Sequence, residues 1–150
     1  MISYKIRIGR NEDALSCIKL SKTSWPDWWS ENERLGERHI RNCIHNKRCL
    51  VAVKDKEVIG FMVWGVLWNK IHLQDIFVEK EYRRCGIGSN LVQHLIKISK
   101  KEGFKEITSD SDVANKVALI FHLKNGFKRR GLIRNNWDNA SSYVYAMKFY

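Results

Sequence analysis

The sequence predicts an α/β (α+β) fold on three observations. Strand-like alternation and helix-like periodicity succeed one another along the chain, three apolar strand runs follow each other in its middle, and only one proline, Pro26, interrupts the 150 residues. A composition that is 44% hydrophobic and 11% aromatic fills a core without disulfide staples. Neither a Gly/Ser linker nor a solenoid-length repeat divides the chain, so one domain over residues 1–150 is expected.

The elements are read in order. "YKIRI", Tyr4 to Ile8, alternates as a strand, and Ala14, Leu15, Ile18 and Leu20 recur as a helix behind the acidic Glu12 and Asp13. "SWPDWWSENERLG" reads as irregular and aromatic, with a second helix resuming near Glu33 and ending near Asn46. "CLVAV" and "EVIGFMVWGVLW" flank the turn "KDKE" as an antiparallel hairpin, and "KIHLQDIFV" adds a third strand from Lys70 to Val78. After Gly86, residues Leu91, Val92, Leu95, Ile96 and Ser99 fall on one helical face, and Gly103 stops that helix. "KEITSD" is a strand, "ANKVALIFHLKN" a helix closed by Gly126, and "FKRRGLI" and "SSYVYAMKF" are the last two strands. The order is β-α-α-β-β-β-α-β-α-β-β.

Bulk chemistry narrows the function classes. No apolar run approaches the ~18 residues of a membrane helix, and the first residues lack a secretory apolar stretch, so a soluble, cytoplasmic protein is expected. Cys17, Cys43, Cys49 and Cys85 form no Cys-x-x-Cys pair and read as reduced thiols. A net charge of +11 attracts phosphates, nucleic acid or acidic surfaces. His39, Cys43, His45 and Cys49 invite a metal assignment, but only His39 and Cys43 share a helical face, so no metal is expected.

The stretch "EYRRCGIGSN", Glu81 to Asn90, joins a strand to a helix. Amides at such a junction point outward, the helix N-terminus favours negative charge, and glycines at 86 and 88 remove side chains that would keep an anion away. Arg83 and Arg84 add charge-assisted bonds, so the turn reads as an anion site.

Val78, Tyr82 and the run Arg83-x-x-Gly86-x-Gly88 resemble the acetyl-CoA motif of GNAT N-acetyltransferases, Gln/Arg-x-x-Gly-x-Gly/Ala. Asn115, Ala118 and Gly126-Phe127 resemble that family's later "N-x-x-A…GF" block. The resemblance covers the C-terminal two-thirds well and the first ~50 residues by element order alone. It implies a single mixed sheet of about seven strands with helices on both faces, and acetyl-CoA as acetyl donor. By the same resemblance, Arg83, Arg84, Cys85, Gly86, Ile87, Gly88 and Ser89 hold the CoA diphosphate. The backbone of Ile76, Phe77 and Val78, in a strand that splays from its neighbour, holds the pantetheine arm. Asn115 resembles the family asparagine of the pantetheine or phosphate region, and helix capping is compatible with that. His122 stands where most members carry the tyrosine that protonates the departing thiolate, so the resemblance implies an acid role with altered pH dependence.

Transfer to nitrogen requires a neutral amine. An amine of pKa ~10.4 pays ~4.6 kcal/mol to lose its proton at pH 7, so a base or a water relay is expected. Asp75 in "HLQDIFV" is the candidate for that base, since the run resembles the acidic strand of the diamine and polyamine acetyltransferase branch, with Gln74 replacing the preceding acid. Alternation sends Gln74 and Asp75 to opposite faces. Ser109, Asp110, Asn115, His122 and Gly126-Phe127 also resemble aminoglycoside 6'-N-acetyltransferases. Trp25, Trp28 and Trp29, with Gln74, are the acceptor-side candidates, since aromatic walls hold cationic amines. The expected partner is an amine acceptor, most simply a small molecule, with a homodimer allowed and neither membrane nor nucleic acid expected. The alternatives are acetylation of a protein or peptide amine, and a non-enzymatic basic module for nucleic acid or ribosome built on Lys128, Arg129, Arg130 and Arg134.

Overall fold

The structure, a computed structural model, describes residues 1–137 and 139–149, and of Trp137 the backbone alone. Its strands are β1 (Lys5–Ile8), β2 (Cys49–Lys54), β3 (Glu57–Leu67), β4 (Lys70–Val78), β5 (Glu106–Asp112), β6 (Lys128–Trp137) and β7 (Ala140–Lys148). Its helices are α1 (Ala14–Ser24), α2 (Pro26–His45), α3 (Ile87–Lys101) and α4 (Lys116–Lys124). The seven strands form one mixed sheet in the order β1-β2-β3-β4-β5-β7-β6, in the sequence of elements that the periodicity predicted. β4 and β5 run parallel, pairing Ile71–Leu73 with Ile107–Ser109. The pairs β1/β2, β2/β3, β5/β7 and β6/β7 are antiparallel. Among the described residues no helix is long and apolar enough to cross a membrane.

Two compact units make up the chain. The first comprises Met1–Gly65 and Asp75–Leu95. Alternation along β2 and β3 sends Cys49, Val51, Phe61 and Val63 to the face covered by α1 and α2, where they meet Cys17, Ile18, Ile40 and Ile44. Leu50, Ala52, Met62 and Trp64, on the other face, are buried as well. Gly60 belongs to that face, where a Cβ would come within 3.1 Å of the Phe77 carbonyl and 3.4 Å of Ile87. The absence of a side chain there lets β3 pass close under the start of α3. The β2–β3 hairpin turns through Asp55 and Lys56 at φ 49° and 69°, the left-handed pair that a tight two-residue turn demands. Asp13 joins Arg7 through bonds of 2.7 and 3.0 Å and accepts the Arg10 amide at 2.7 Å. Burial would push its carboxyl up, but these bonds and the charges of Arg7 and Arg10 prevail and hold it below the usual range.

The second helix corrects the reading of "SWPDWWSENERLG" as irregular. α2 begins at Pro26, whose missing N–H and fixed φ suit the first helical position. What resembled irregularity is a kink at Asn32 (φ −126°, ψ 25°), where the Asn32 side chain donates to the Trp28 carbonyl at 2.8 Å. Trp29 also differs from expectation: it is core rather than acceptor wall. Its Nε1 donates to Ser21 Oγ at 2.8 Å, and its ring lies where a Cβ on Gly36 would come within 2.6 Å.

The second unit comprises Val66–Gln74 and Ile96–Tyr150. Ile71, Leu73, Ile107, Phe127 and Tyr145 are its buried residues of greatest size. α4 ends in a Schellman motif, with Phe127 N–H bonded to the His122 carbonyl at 3.0 Å and Gly126 N–H to the Leu123 carbonyl at 3.2 Å. Gly126, at φ 90°, supplies the left-handed residue, and the Phe127 ring returns to lie edge-on against His122 at 5.2 Å. The pair Gly126-Phe127 is therefore a helix stop that also builds core.

Candidate active site

In the first unit, β4 ends at Val78, a short 3-10 turn covers Lys80–Tyr82, and α3 starts at Ile87. Arg84 and Gly86 have φ of 63° and 82°. A Cβ on Gly86 would meet no protein atom within 4 Å, so the left-handed backbone, rather than crowding by the protein, is what calls for glycine there. Gly88 lies within the first turn of α3. The bond from Asn90 N–H to the Gly86 carbonyl, 2.9 Å, opens the helix, so the amides of Ile87, Gly88 and Ser89 precede it and have no intrahelical acceptor. Ile87 is buried and anchors the turn, while Arg83, Arg84, Cys85 and Gly86 are exposed. Arg83 Nε donates to the Val78 carbonyl at 2.9 Å, which braces the turn on the strand that feeds it. Amides without an intrahelical acceptor, the positive end of a helix dipole and a Gly86 without a covering Cβ give this turn the chemistry of an anion site.

Ile76, Phe77 and Val78 are each half-buried, with Phe77 packed against Phe61 at 5.5 Å. Gln74 is exposed and Asp75 half-buried, the alternation expected of a strand. Asp75 Oδ2 lies 3.8 Å from Nε2 of His39 on α2, a neighbour that the sequence reading left without a role. Its signal in the sequence is the i, i+4 spacing of His39 and Cys43, which puts both on one helical face. Trp25 and Trp28 stack at 5.1 Å with 16° between their planes, and Trp25 is exposed. A cavity of about 470 Å³ in this unit is lined by Arg7, Arg10, Ile44, His45 and Lys47 and their neighbours and by none of the candidate residues. The candidate surfaces are thus backbone edges and a helix end.

In the second unit, Asn115 caps α4: its Oδ1 accepts the Ala118 N–H at 3.0 Å. His122 is buried, stacked on Tyr145 at 4.0 Å, with Nδ1 2.7 Å from the Ala118 carbonyl and Nε2 2.8 Å from Ser109 Oγ. Burial is the main reason its pKa lies below the ordinary value, against opposing pulls from the Ala118 carbonyl and Asp110. The ring is then neutral at pH 7, donating from Nδ1 to Ala118 and accepting at Nε2. The Ser109 hydroxyl supplies that bond in preference to its longer contact with the Leu73 carbonyl, 3.2 Å. His72, also unassigned from sequence, lies 2.8 Å from Thr108 Oγ1 and 3.1 Å from Asp110 Oδ1, tying β4 to β5.

A mixed sheet in this strand order, with a turn leading from β4 into a helix, is a fold shared with solved acetyltransferase structures. The chain belongs to the acetyltransferase (GNAT) family, whose family model matches residues 15–127. It is 29% identical over 160 aligned positions to an N-alpha-acetyltransferase of Sulfurisphaera tokodaii, covering 95% of this chain and 92% of that one. It is 27% identical over 114 positions to phosphinothricin N-acetyltransferase of Streptomyces viridochromogenes, covering 72% of this chain and 57% of that one. Its fold matches the crystal structure of PaiA N-acetyltransferase from Thermoplasma acidophilum in complex with coenzyme A, with a TM-score of 0.83 at 24% identity, covering 99% of this chain and all of that one. The protein is an N-acetyltransferase of this family.

Proposed function

We propose that residues 1–150 act as one domain that moves an acetyl group from acetyl-CoA to a primary amine of a small molecule, by direct attack in a ternary complex. The observation that carries the reading is the Arg83–Ser89 turn, whose amides at Ile87, Gly88 and Ser89 have no intrahelical partner. Those amides and the two arginines take the diphosphate, and the backbone of Ile76–Val78 takes the pantetheine arm. Asn115 holds α4 by its cap and offers its remaining amide group to the donor. Trp25, Trp28 and Gln74 are the acceptor-side groups, and Asp75 is the acidic group that draws the ammonium. His122, neutral and bonded at both nitrogens, is better suited to holding Ser109 and α4 than to delivering a proton. The protein acts in the cytoplasm, without a metal.

Isothermal titration with acetyl-CoA, followed by thiol release over polyamines, aminoglycosides, amino acids and peptides, tests the reading. The expected result is saturable acetyl-CoA binding and turnover with a small amine. A chain that takes up no heat with acetyl-CoA at millimolar concentration overturns it. The second reading, acetylation of a peptide amine, is favoured by the full-length likeness to the Sulfurisphaera N-alpha-acetyltransferase, and turnover with peptides alone selects it.

A further inference from the structure

α2 and the end of β4 bring two titratable side chains together within the first unit. His39 Nε2 stands 3.8 Å from Asp75 Oδ2, and the two side chains are 35% and 33% exposed, so both can be reached from solvent. That separation is long for a hydrogen bond and within range of an ion pair, so the contact strengthens when the ring gains a proton. Cys43, one turn further on, has its Sγ 3.9 Å from both ring nitrogens. Burial and the nearby Asp75 charge push its thiol up to about 11 against the pull of Arg48, so it adds no charge at neutral pH.

We propose that His39 is the base that deprotonates the acceptor amine, with Asp75 positioning the ring and stabilising the imidazolium that forms. The inference rests on the acetyl transfer proposed above. With Nε2–H turned to the carboxylate, Nδ1 carries the ring's lone pair, and the Cys43 sulfur at 3.9 Å is a weak partner for it. The ammonium gives one proton to Nδ1, and the neutral amine attacks the thioester carbonyl carbon. A C–N bond forms as the C–S bond breaks, and the electron pair leaves on sulfur. The second proton of the nitrogen ends on the thiolate, and His39 returns the first to solvent. One ammonium and one thioester thus give one amide, one thiol and one proton. Among side chains, imidazole is the one whose charge change suits proton transfer near neutral pH, and as a class it is a better-matched base than a carboxylate.

The test measures CoA release with an accepted amine from pH 6 to 10 in the wild-type chain, His39→Gln, His39→Ala and Asp75→Asn, with acetyl-CoA affinity by calorimetry. His39→Gln should lose ~100-fold in kcat at pH 7. Its acetyl-CoA Kd should stay within about twofold, and the deficit should shrink toward pH 10, where the amine deprotonates unaided. Added imidazole should restore part of the His39→Ala rate, and Asp75→Asn should move the acid limb to lower pH, because the imidazolium loses its counter-charge. Wild-type kcat at every pH in His39→Gln overturns the assignment, as does a pH-independent deficit that imidazole does not relieve. Should the His39 variants fail to fold, an unmoved acid limb in Asp75→Asn overturns it. A wild-type chain that acetylates no amine removes the proposed function and this inference together, whereas an active wild type matched by His39→Gln removes this inference alone.

Discussion

His39 and His122 carry the same ring in opposite surroundings. His39 sits half-exposed on α2, with Asp75 Oδ2 3.8 Å away. His122 is buried in α4, with bonds of 2.7 and 2.8 Å at its two nitrogens and a tyrosine stacked on its face. A ring with both nitrogens committed has no lone pair or proton to spend on a substrate, and desolvation opposes its charged form. A ring held only by a 3.8 Å ionic contact and a 3.9 Å thiol neighbour is less committed. Position in a motif drew attention to His122, but proton chemistry follows from environment, and the environment favours His39.

Several variants break or sharpen this contrast. The largest stability effect is expected at the buried ring: His122→Ala removes two bonds and a stacked ring and should cost ~2–4 kcal/mol in urea unfolding. His39→Gln, at a half-exposed position, should cost less, within ~1 kcal/mol. Activity should divide the other way. His122→Phe should keep the wild-type shape of the kcat–pH profile, and a changed midpoint in both His122→Phe and His122→Tyr would return the proton to that residue.

Next in size is a pH effect on folding. The depressed pKa of native His122 means that the unfolded chain binds a proton first as pH falls, so the stability this neutral ring contributes is present above pH ~6.5 and drains away below it. Urea midpoints at pH 7.5 and 5.5 should fall further for the wild type than for His122→Phe, and equal slopes would deny the buried neutral state.

A smaller effect tests the proposed diphosphate role of the turn at 83–89. Gly86→Val forces a β-branched residue to φ 82°, at a cost of ~1–2 kcal/mol. Distorted amides should then weaken acetyl-CoA binding about tenfold or more by calorimetry. The smallest is at the exposed tryptophan. Trp25→Ala removes one half of a surface stack, worth within ~1 kcal/mol to folding. It should raise KM for the amine while leaving that for acetyl-CoA unchanged.

Much of the fold was legible because its signals are local. The strand pattern of "CLVAV" and "KIHLQDIFV", the glycines that stop helices at Gly103 and Gly126, and the Asn115 cap each act within a few residues. The α2 start was misread because three tryptophans and a proline suggest a loop, whereas proline at the first helical position favours a helix and Trp29 turns inward against Gly36. The strand-to-helix turn at 83–89 was legible too, although the glycine at 86 answers to backbone conformation rather than to crowding.

Sequence alone determined the order of elements, the family motifs and the strand-to-helix turn, since all of these are encoded in spacing along the chain. Only the tertiary structure decided that His39 meets Asp75 across 36 residues of sequence and that His122 is enclosed by Tyr145, Phe127 and Ser109. Which groups are desolvated, and which share a proton, depends on contacts between distant segments, and no periodicity in a single strand or helix carries that information.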